Sequence, residues 1–251
     1  MNFTVQLNFH GDLAFFLKKR VSDAATGRQL TERTSVKDVI ESCGVPHPEV
    51  DLILANGQPV DFAYVLESDQ EIDVYPLQSS SMFFQENRLQ VQSLKKFLAD
   101  CHLGKLVRNL RLLGIDVAYN PSAQGQHLVS AAKIDNRALL TRDRRLLMHA
   151  IVRHGYYLRS QNPLEQTVEV LRRFELFSSI APYTRCLHCN GSLVQVDKAE
   201  VIERLEPLTK IYYDQFWRCR NCDKIYWPGS HFEKLQTRVA QLTQRLQVSP
   251  P

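Results

Sequence analysis

The chain has 251 residues and a mass of 28.9 kDa, with 44% apolar and 23% charged residues. That balance excludes disordered and fibrous classes, and 10 glycines with 11 prolines exclude collagen-like or low-complexity sequence. No stretch approaches the roughly 20 uninterrupted apolar residues of a spanning helix, and Met1–Leu7 shows no basic segment leading into an apolar one. A soluble cytoplasmic protein without a membrane partner is expected. The formal net charge of +4 conceals an asymmetry. Residues 1–80 carry 6 Lys/Arg against 12 Asp/Glu, whereas residues 81–251 carry 25 against 15. Two oppositely charged halves predict at least two domains, the basic one suited to a polyanion such as nucleic acid. Charge alone does not separate that use from plain solubility.

In chain order, Phe3, Val5, Leu7 and Phe9 alternate with polar residues, which predicts a half-buried strand. Ser35-Val36-Lys37-Asp38 predicts a helix start, with Ser35 as N-cap, Asp38 at N3 and Gly44 as the stop. Residues 51–60 predict a strand, a type I′ turn at Asn56-Gly57 and a return strand. Glu71–Tyr75 alternates again as a closing strand. Strand, helix, hairpin and closing strand in this order are β-grasp-like. Pro76-Leu77-Gln78-Ser79-Ser80-Ser81 then opens a polar stretch, and nothing periodic resumes before Lys95.

From there strand and helix alternate. Lys96–Ala99 is a short apolar strand ending at Asp100, and Leu103, Leu106, Val107, Leu110 and Leu113 recur at helical spacing up to Gly114. Strands follow at 115–119, 138–141 and 156–158, with helices at 126–133, 144–153 and from Pro163 to Phe174. Repeated βα units predict a parallel sheet. Residues 232–247 predict a terminal helix.

Cys186-Leu187-His188-Cys189 and Cys219-Arg220-Asn221-Cys222 are two C-x-x-C pairs, and each turn puts two thiolates on one knuckle. Together Cys186, Cys189, Cys219 and Cys222 predict a tetrahedral Zn²⁺ site whose filled coordination sphere makes it structural. Neither pair has the helix-start context of a redox motif, and His188 and His231 are read as bystanders. Trp217, Trp227, Tyr212, Tyr213 and Tyr226 crowd the same segment, either as a small core around the metal or as stacking surfaces for bases.

In a parallel α/β sheet, ligands gather outside the carboxyl ends of the strands. Asp100 and Asp143 follow such ends. If they shared one crevice they would repel each other without a cation, and hard carboxylates select Mg²⁺ or Mn²⁺. Such an ion activates water and clamps a phosphodiester. Lys105, Arg108, Arg142, Arg144 and Arg145 lie near these aspartates in sequence and suit flanking phosphates. The alternative is that each aspartate simply caps the helix that follows it.

The runs Phe97-Leu98-Ala99-Asp100, Leu103-Gly104-Lys105-Leu106, Leu110-Arg111-Leu112-Leu113-Gly114 and Leu139-Leu140-Thr141-Arg142-Asp143 closely resemble the Mut-seven C-terminal ribonuclease domain. So do Arg185-Cys186, Cys189-Asn190-Gly191, Phe216-Trp217-Arg218-Cys219 and, apart from its proline, Tyr226-Trp227-Pro228-Gly229-Ser230-His231. The front of the chain is similar to the ubiquitin-like domain often fused ahead of it. The resemblance implies a β-grasp domain over 1–76, a linker over 77–94 and a PIN-like α/β domain of three layers over 95–180. A zinc ribbon with its C-terminal helix follows over 181–251. It implies a metal-dependent ribonuclease acting on RNA. Asp100 and Asp143 match the family's acidic ligands, Thr141 its supporting Thr, and Lys105 and Arg142 its basic residues.

Departures are visible. After the second strand the family offers acidic residues where this chain has Gln124-Gly125-Gln126-His127, and after the fourth Ser160 precedes Gln161-Asn162. Asp116 is a candidate third carboxylate, whereas Asp135 lies further along the chain. Two other readings therefore stand beside the nuclease: a catalytically weakened RNA-binding module, and a β-grasp/zinc-ribbon interaction scaffold. The strand ending at Tyr75-Pro76-Leu77-Gln78 lacks the Gly-Gly tail of conjugating ubiquitin-like proteins, which argues against carrier chemistry; the acidic domain is expected to dock a protein partner, to fold onto its own basic neighbour, or simply to stabilise the chain as a fused module.

Overall fold

The computed structural model describes residues 2–17, 25–77, 82–91 and 94–247. They divide into two compact units, Met1–Gln92 with Gly125–Tyr157, and Ser93–Gln124 with Leu158–Pro251. The elements run β1 (Phe3–Phe9), β2 (Ala25–Leu30), β3 (Thr34–Ser35), α1 (Val36–Ser42), β4 (Val50–Ala55), β5 (Gln58–Val60), β6 (Val65–Leu66), β7 (Gln70–Pro76) and α2 (Met82–Glu86). Next come β8 (Lys96–Ala99), α3 (Gly104–Leu112), β9 (Asp116–Tyr119), α4 (Gly125–Ile134), β10 (Ala138–Thr141), α5 (Arg144–Leu147), β11 (Gly155–Tyr157) and α6 (Pro163–Arg173). The last are β12 (Leu193–Val196), α7 (Lys198–Val201), α8 (Pro207–Tyr212), β13 (Phe216–Cys219), β14 (Ile225–Tyr226) and α9 (Phe232–Gln247). No described helix is long and apolar enough to cross a membrane.

The first unit is built on a five-stranded sheet ordered β2-β1-β7-β4-β5, with β1 and β7 parallel and the other neighbours antiparallel. The alternation in β1 buries Phe3, Val5, Leu7 and Phe9 against Val36, Val39 and Ile40 of α1. Each fully buried side chain of this kind stabilises by about 1.5–3 kcal/mol. Ser35 caps α1 by accepting the Asp38 amide at 3.1 Å. Asn56 and Gly57 both have positive φ, +48° and +78°, as a type I′ turn requires. Strand β2 had no sequence signal because it is an edge strand, and Thr26, Gly27, Arg28 and Gln29 have no apolar alternation to reveal it.

Part of the expected linker belongs to this unit; its residues 78–81 and 92–93 lie outside the described residues. A bulge in β4 turns the fully buried Asp51 towards the returning chain. Its carbonyl accepts the Leu89 amide at 2.8 Å, and its carboxylate accepts the Gln90 amide at 3.0 Å. The Gln90 amide group donates to the His47 and Val50 carbonyls.

In the same unit β10 and β11 pair in parallel, Leu139 with Gly155 through Thr141 with Tyr157. Polar contacts tie this segment to the β-grasp part of the unit. Tyr157 N donates to Glu49 Oε1 at 2.6 Å, and His47 Nε2 donates to the Val152 carbonyl at 2.6 Å. Arg144 Nη1 donates to the Phe16 carbonyl at 2.7 Å, with its guanidinium over the Phe15, Phe16 and Tyr157 rings. Helix α5 is shorter than the expected 144–153. Its chain leaves the helix after Leu147, and the Val152 carbonyl accepts from His47 Nε2.

In the second unit β8 and β9 pair in parallel, Lys96 with Asp116 through Ala99 with Tyr119, joined by α3. The end of α3 is a Schellman motif: Ile115 N donates to the Leu110 carbonyl and Gly114 N to that of Arg111. Gly114 has φ +84°, and a Cβ there would lie 2.2 Å from the Ala181 carbonyl oxygen. Asn109, buried in α3, donates to the Pro163 carbonyl and to Thr167 Oγ1, fastening α3 to α6. Strands β12, β13 and β14 form an antiparallel three-stranded sheet around Phe216.

Two stability measurements follow from these contacts. Gly114→Ala should lower unfolding stability in urea by about 2 kcal/mol or more, combining left-handed strain with the clash. Arg144→Ala should cost about 2 kcal/mol, because a charged donor and its aromatic contacts are lost together. A melting curve unchanged by the second substitution would show that this clamp contributes nothing.

Candidate active site and metal centre

The two cysteine knuckles are built alike. Cys186 N donates to the Gly191 carbonyl at 2.8 Å and Asn190 N to that of Cys186, while Cys219 N donates to the Lys224 carbonyl at 2.9 Å and Asp223 N to that of Cys219. Asn190 and Asp223 take the left-handed conformation, with φ +72° and +60°, that each turn needs. The Cys189 and Asn221 amides point at the Cys186 and Cys219 sulfurs at 3.5 and 3.4 Å. Gly191 is needed for closeness, since a Cβ would lie 2.8 Å from Cys219 Sγ and from Asn221.

The four sulfurs lie within 4.8 Å of one another, with Cys189–Cys219 at 3.4 Å and Cys186–Cys222 at 3.7 Å. A tetrahedral ion with metal–sulfur bonds of about 2.3 Å sets neighbouring sulfurs about 3.8 Å apart, so the cluster fits such an ion. Burial opposes ionisation of Cys186, yet hydrogen bonds from the Tyr226 hydroxyl, at 3.1 Å, and from nearby amides bring its thiol down to about 6. Burial and the neighbouring sulfurs push Cys189 up to about 12. Four thiolates therefore coexist here only with a cation among them. The cluster could hold a metal ion.

Several side chains that sequence reasoning passed over hold the first knuckle in place. Arg111, buried within α3, donates through Nε and Nη2 to the Val117 carbonyl and through Nη1 to the Leu187 and His188 carbonyls. Burial pulls its guanidinium below the ordinary arginine range, with the thiols and Asp116 acting the other way. Asn190 accepts from Val117 N and donates to Asp116 Oδ1 at 2.8 Å, and Arg185 lies 3.3 Å from Asp116 Oδ2. Asp116 is thus not a third ligand. It begins β9 rather than ending it, and both of its oxygens are engaged by the knuckle.

Asp100 and Asp143 follow the carboxyl ends of β8 and β10. The helix-cap alternative separates them. Asp143 Oδ1 accepts the Arg145 amide at 2.9 Å, a true N-cap, whereas the Asp100 side chain, 7% exposed, makes no cap bond. Asp100 instead groups with Cys101 and His102, the three offering ligand atoms within 4.8 Å. Burial and the Asp100 carboxylate raise the Cys101 thiol. Asp143 Oδ2 makes no hydrogen bond to another described residue, so a hard cation could share this carboxylate with the cap. Thr141, fully buried, receives the Asp143 amide on Oγ1 at 3.0 Å and so sets the backbone of that aspartate.

Of the basic candidates, Lys105, Arg108, Arg142 and Arg145 are exposed. Arg144 is not, because its guanidinium is bound to the Phe16 carbonyl and covered by three rings, which corrects its expected role at phosphates. Asn162 caps α6 by accepting the Leu164 amide at 2.9 Å. The Ser160 and Arg159 amides are received by Glu169, for which the sequence carried no signal. Asp135 pairs with Arg137 at 3.4 Å.

Among solved structures, the crystal structure of SAMP1 from Haloferax volcanii is similar at 12% identity and a TM-score of 0.24, covering 31% of this chain and 99% of that one. No curated protein matches the chain. Residues 2–82 match the Mut7-C ubiquitin family and residues 95–239 match the Mut7-C RNAse domain. The chain belongs to the Mut7-C RNAse family, with a Mut7-C ubiquitin domain ahead of it.

Proposed function

We propose that the protein is a PIN-type ribonuclease that hydrolyses RNA phosphodiester bonds with Mg²⁺ or Mn²⁺. The observation that carries this is the match to the Mut7-C RNAse domain over residues 95–239. It is supported by two aspartates that each leave the carboxyl end of a parallel strand, where α/β folds gather their ligands. Asp100 and Asp143 are the carboxylates we assign to the cation, and Thr141 keeps the Asp143 backbone in place. When bound, the ion supplies Lewis acidity at the phosphoryl oxygen and lowers the pKa of water. Lys105, Arg108, Arg142 and Arg145 hold the phosphates flanking the scissile bond as point charges and forks. We assign the three-layer PIN-like domain to 95–180 and the ribbon with its helix to 181–251, and a reducing, cytoplasmic setting suits its free thiols.

Zinc is the occupant we assign to Cys186, Cys189, Cys219 and Cys222, in a structural role. Measured by elemental analysis, the purified chain should carry one zinc, and Gly191→Ala should reduce that content by pushing Cys219 out of position. A chelator should unfold the segment 183–231, seen as a new low-temperature transition. An unchanged melting curve after complete metal removal would contradict the structural role.

The test of activity is cleavage of a single-stranded RNA with added Mn²⁺. Asp100→Asn and Asp143→Asn should each reduce the rate about 100-fold or more, since amides do not neutralise the ion. Full cleavage by the double variant would place the chemistry elsewhere. The second reading rests on Asp116, whose engagement by Arg185 and Asn190 leaves no third carboxylate in the set. It predicts that the wild-type chain binds the same RNA without cutting it.

A further inference from the structure

Within the second unit a cleft of about 530 Å³ runs between α3, the start of α6 and α9. Four cations line it: Lys105 and Arg108, one turn apart on α3, and Lys234 and Arg238, one turn apart on α9. No acidic residue is among its described lining. None of the four forms an ion pair or a side-chain hydrogen bond with another described residue. Several other arginines of the unit are engaged: Arg111 and Arg185 with backbone carbonyls, Arg204 with Asp223, Arg218 with Glu200, Arg245 with Glu165. Four like charges facing one cleft repel one another, and a concave wall focuses their field on whatever enters it. The amino end of α6, an eleven-residue helix, opens on the same cleft through Asn162 and Leu164 and adds the positive end of its dipole.

The cleft shares Leu112 and Leu235 with a second cavity of about 140 Å³. Five aromatic side chains line that cavity: Tyr183, Trp217, Tyr226, Trp227 and Phe232. A dry void of about 150 Å³ admits a benzene-sized ring. Trp227 is 38% exposed. A phosphate-holding cleft joined to an aromatic slot is the pairing that binds single strands, with the charge tracking the backbone and the rings stacking a base.

We infer that single-stranded RNA lies along α3 and α9, its phosphates on Lys105, Arg108, Lys234 and Arg238, with one base inserted between Trp217 and Trp227. This rests on the proposal that RNA is the substrate, and adds to it a binding track on α9 and the ribbon. An acidic peptide would satisfy the cations but has no use for the aromatic slot.

The chain's two tryptophans both line the slot, so intrinsic fluorescence reports on it directly. The experiment titrates the full chain, without added divalent ion, against a fluorescein-labelled oligouridylate of a dozen nucleotides at several KCl concentrations. Anisotropy should give a slope of log K against log salt near about −3, from four phosphate contacts at about 0.7 each. Tryptophan emission should be quenched. Lys234→Ala/Arg238→Ala should halve the slope, and Lys234→Arg/Arg238→Lys should restore it, which separates charge from folding. Trp227→Ala should weaken binding about tenfold at an unchanged slope. An abasic strand should bind more weakly and leave emission unchanged. RNA bound with full slope by the double-alanine variant and no quenching overturns this site alone; cleavage with Mn²⁺ would still uphold the ribonuclease. Absence of RNA binding overturns both. Polyglutamate competing as well as RNA would assign the cleft to an acidic protein and overturn the inference.

Discussion

A guanidinium carries five N–H groups and cannot be buried unless acceptors surround it. Arg111 meets that constraint by reaching from α3 to the Val117 carbonyl of β9 on one side and the Leu187 and His188 carbonyls of the first knuckle on the other. The α/β segment and the first cysteine knuckle are joined there by charge-assisted bonds rather than by apolar packing alone. Asp116, Arg185 and Asn190 extend the same junction. Because α3 is held at both faces, by Asn109 to α6 and by Arg111 to the knuckle, its exposed cations Lys105 and Arg108 are presented from a rigid helix.

The acidic ubiquitin-like domain enters the same logic from the other unit. Its carbonyl at Phe16 and carboxylate at Glu49 receive donors from the β10–β11 segment, and His47 donates in return to Val152. Arg144 follows Asp143 directly, so the clamp on the arginine also bears on the backbone that carries the aspartate. The domain is accordingly part of the framework of the β10 strand end, and its acidity complements a basic neighbouring segment. Docking of a separate protein partner would have to use other faces of the sheet.

Much of the local structure was legible because period and punctuation agree. The alternation in β1, the Ser35 cap, the Asn56-Gly57 turn, the stop at Gly114 and the start at Pro163 all state backbone preferences that hold in any context. What failed did so for identifiable reasons. Strand β2 lies at an edge and needs no alternation. Residues 82–91 join the β-grasp unit because a bulge exposes Asp51 to amides that arrive from far along the chain. Helix α5 ends at Leu147, and the Val152 carbonyl beyond it accepts from His47, a residue about a hundred positions away that no local window can see.

For the site, residue chemistry and spacing alone determined the four-sulfur cluster, since two C-x-x-C turns impose their own geometry. They also determined that Asp100 and Asp143 leave strand ends, because strand boundaries follow from apolar runs. Only the tertiary structure decided which charges are available. It engaged Asp116 and Arg144 in structural bonds, left Lys105 and Arg108 exposed, and set Lys234 and Arg238 of a distant helix opposite them. Availability depends on which partners are brought near by folding, and two side chains more than a hundred residues apart carry no local mark of that encounter.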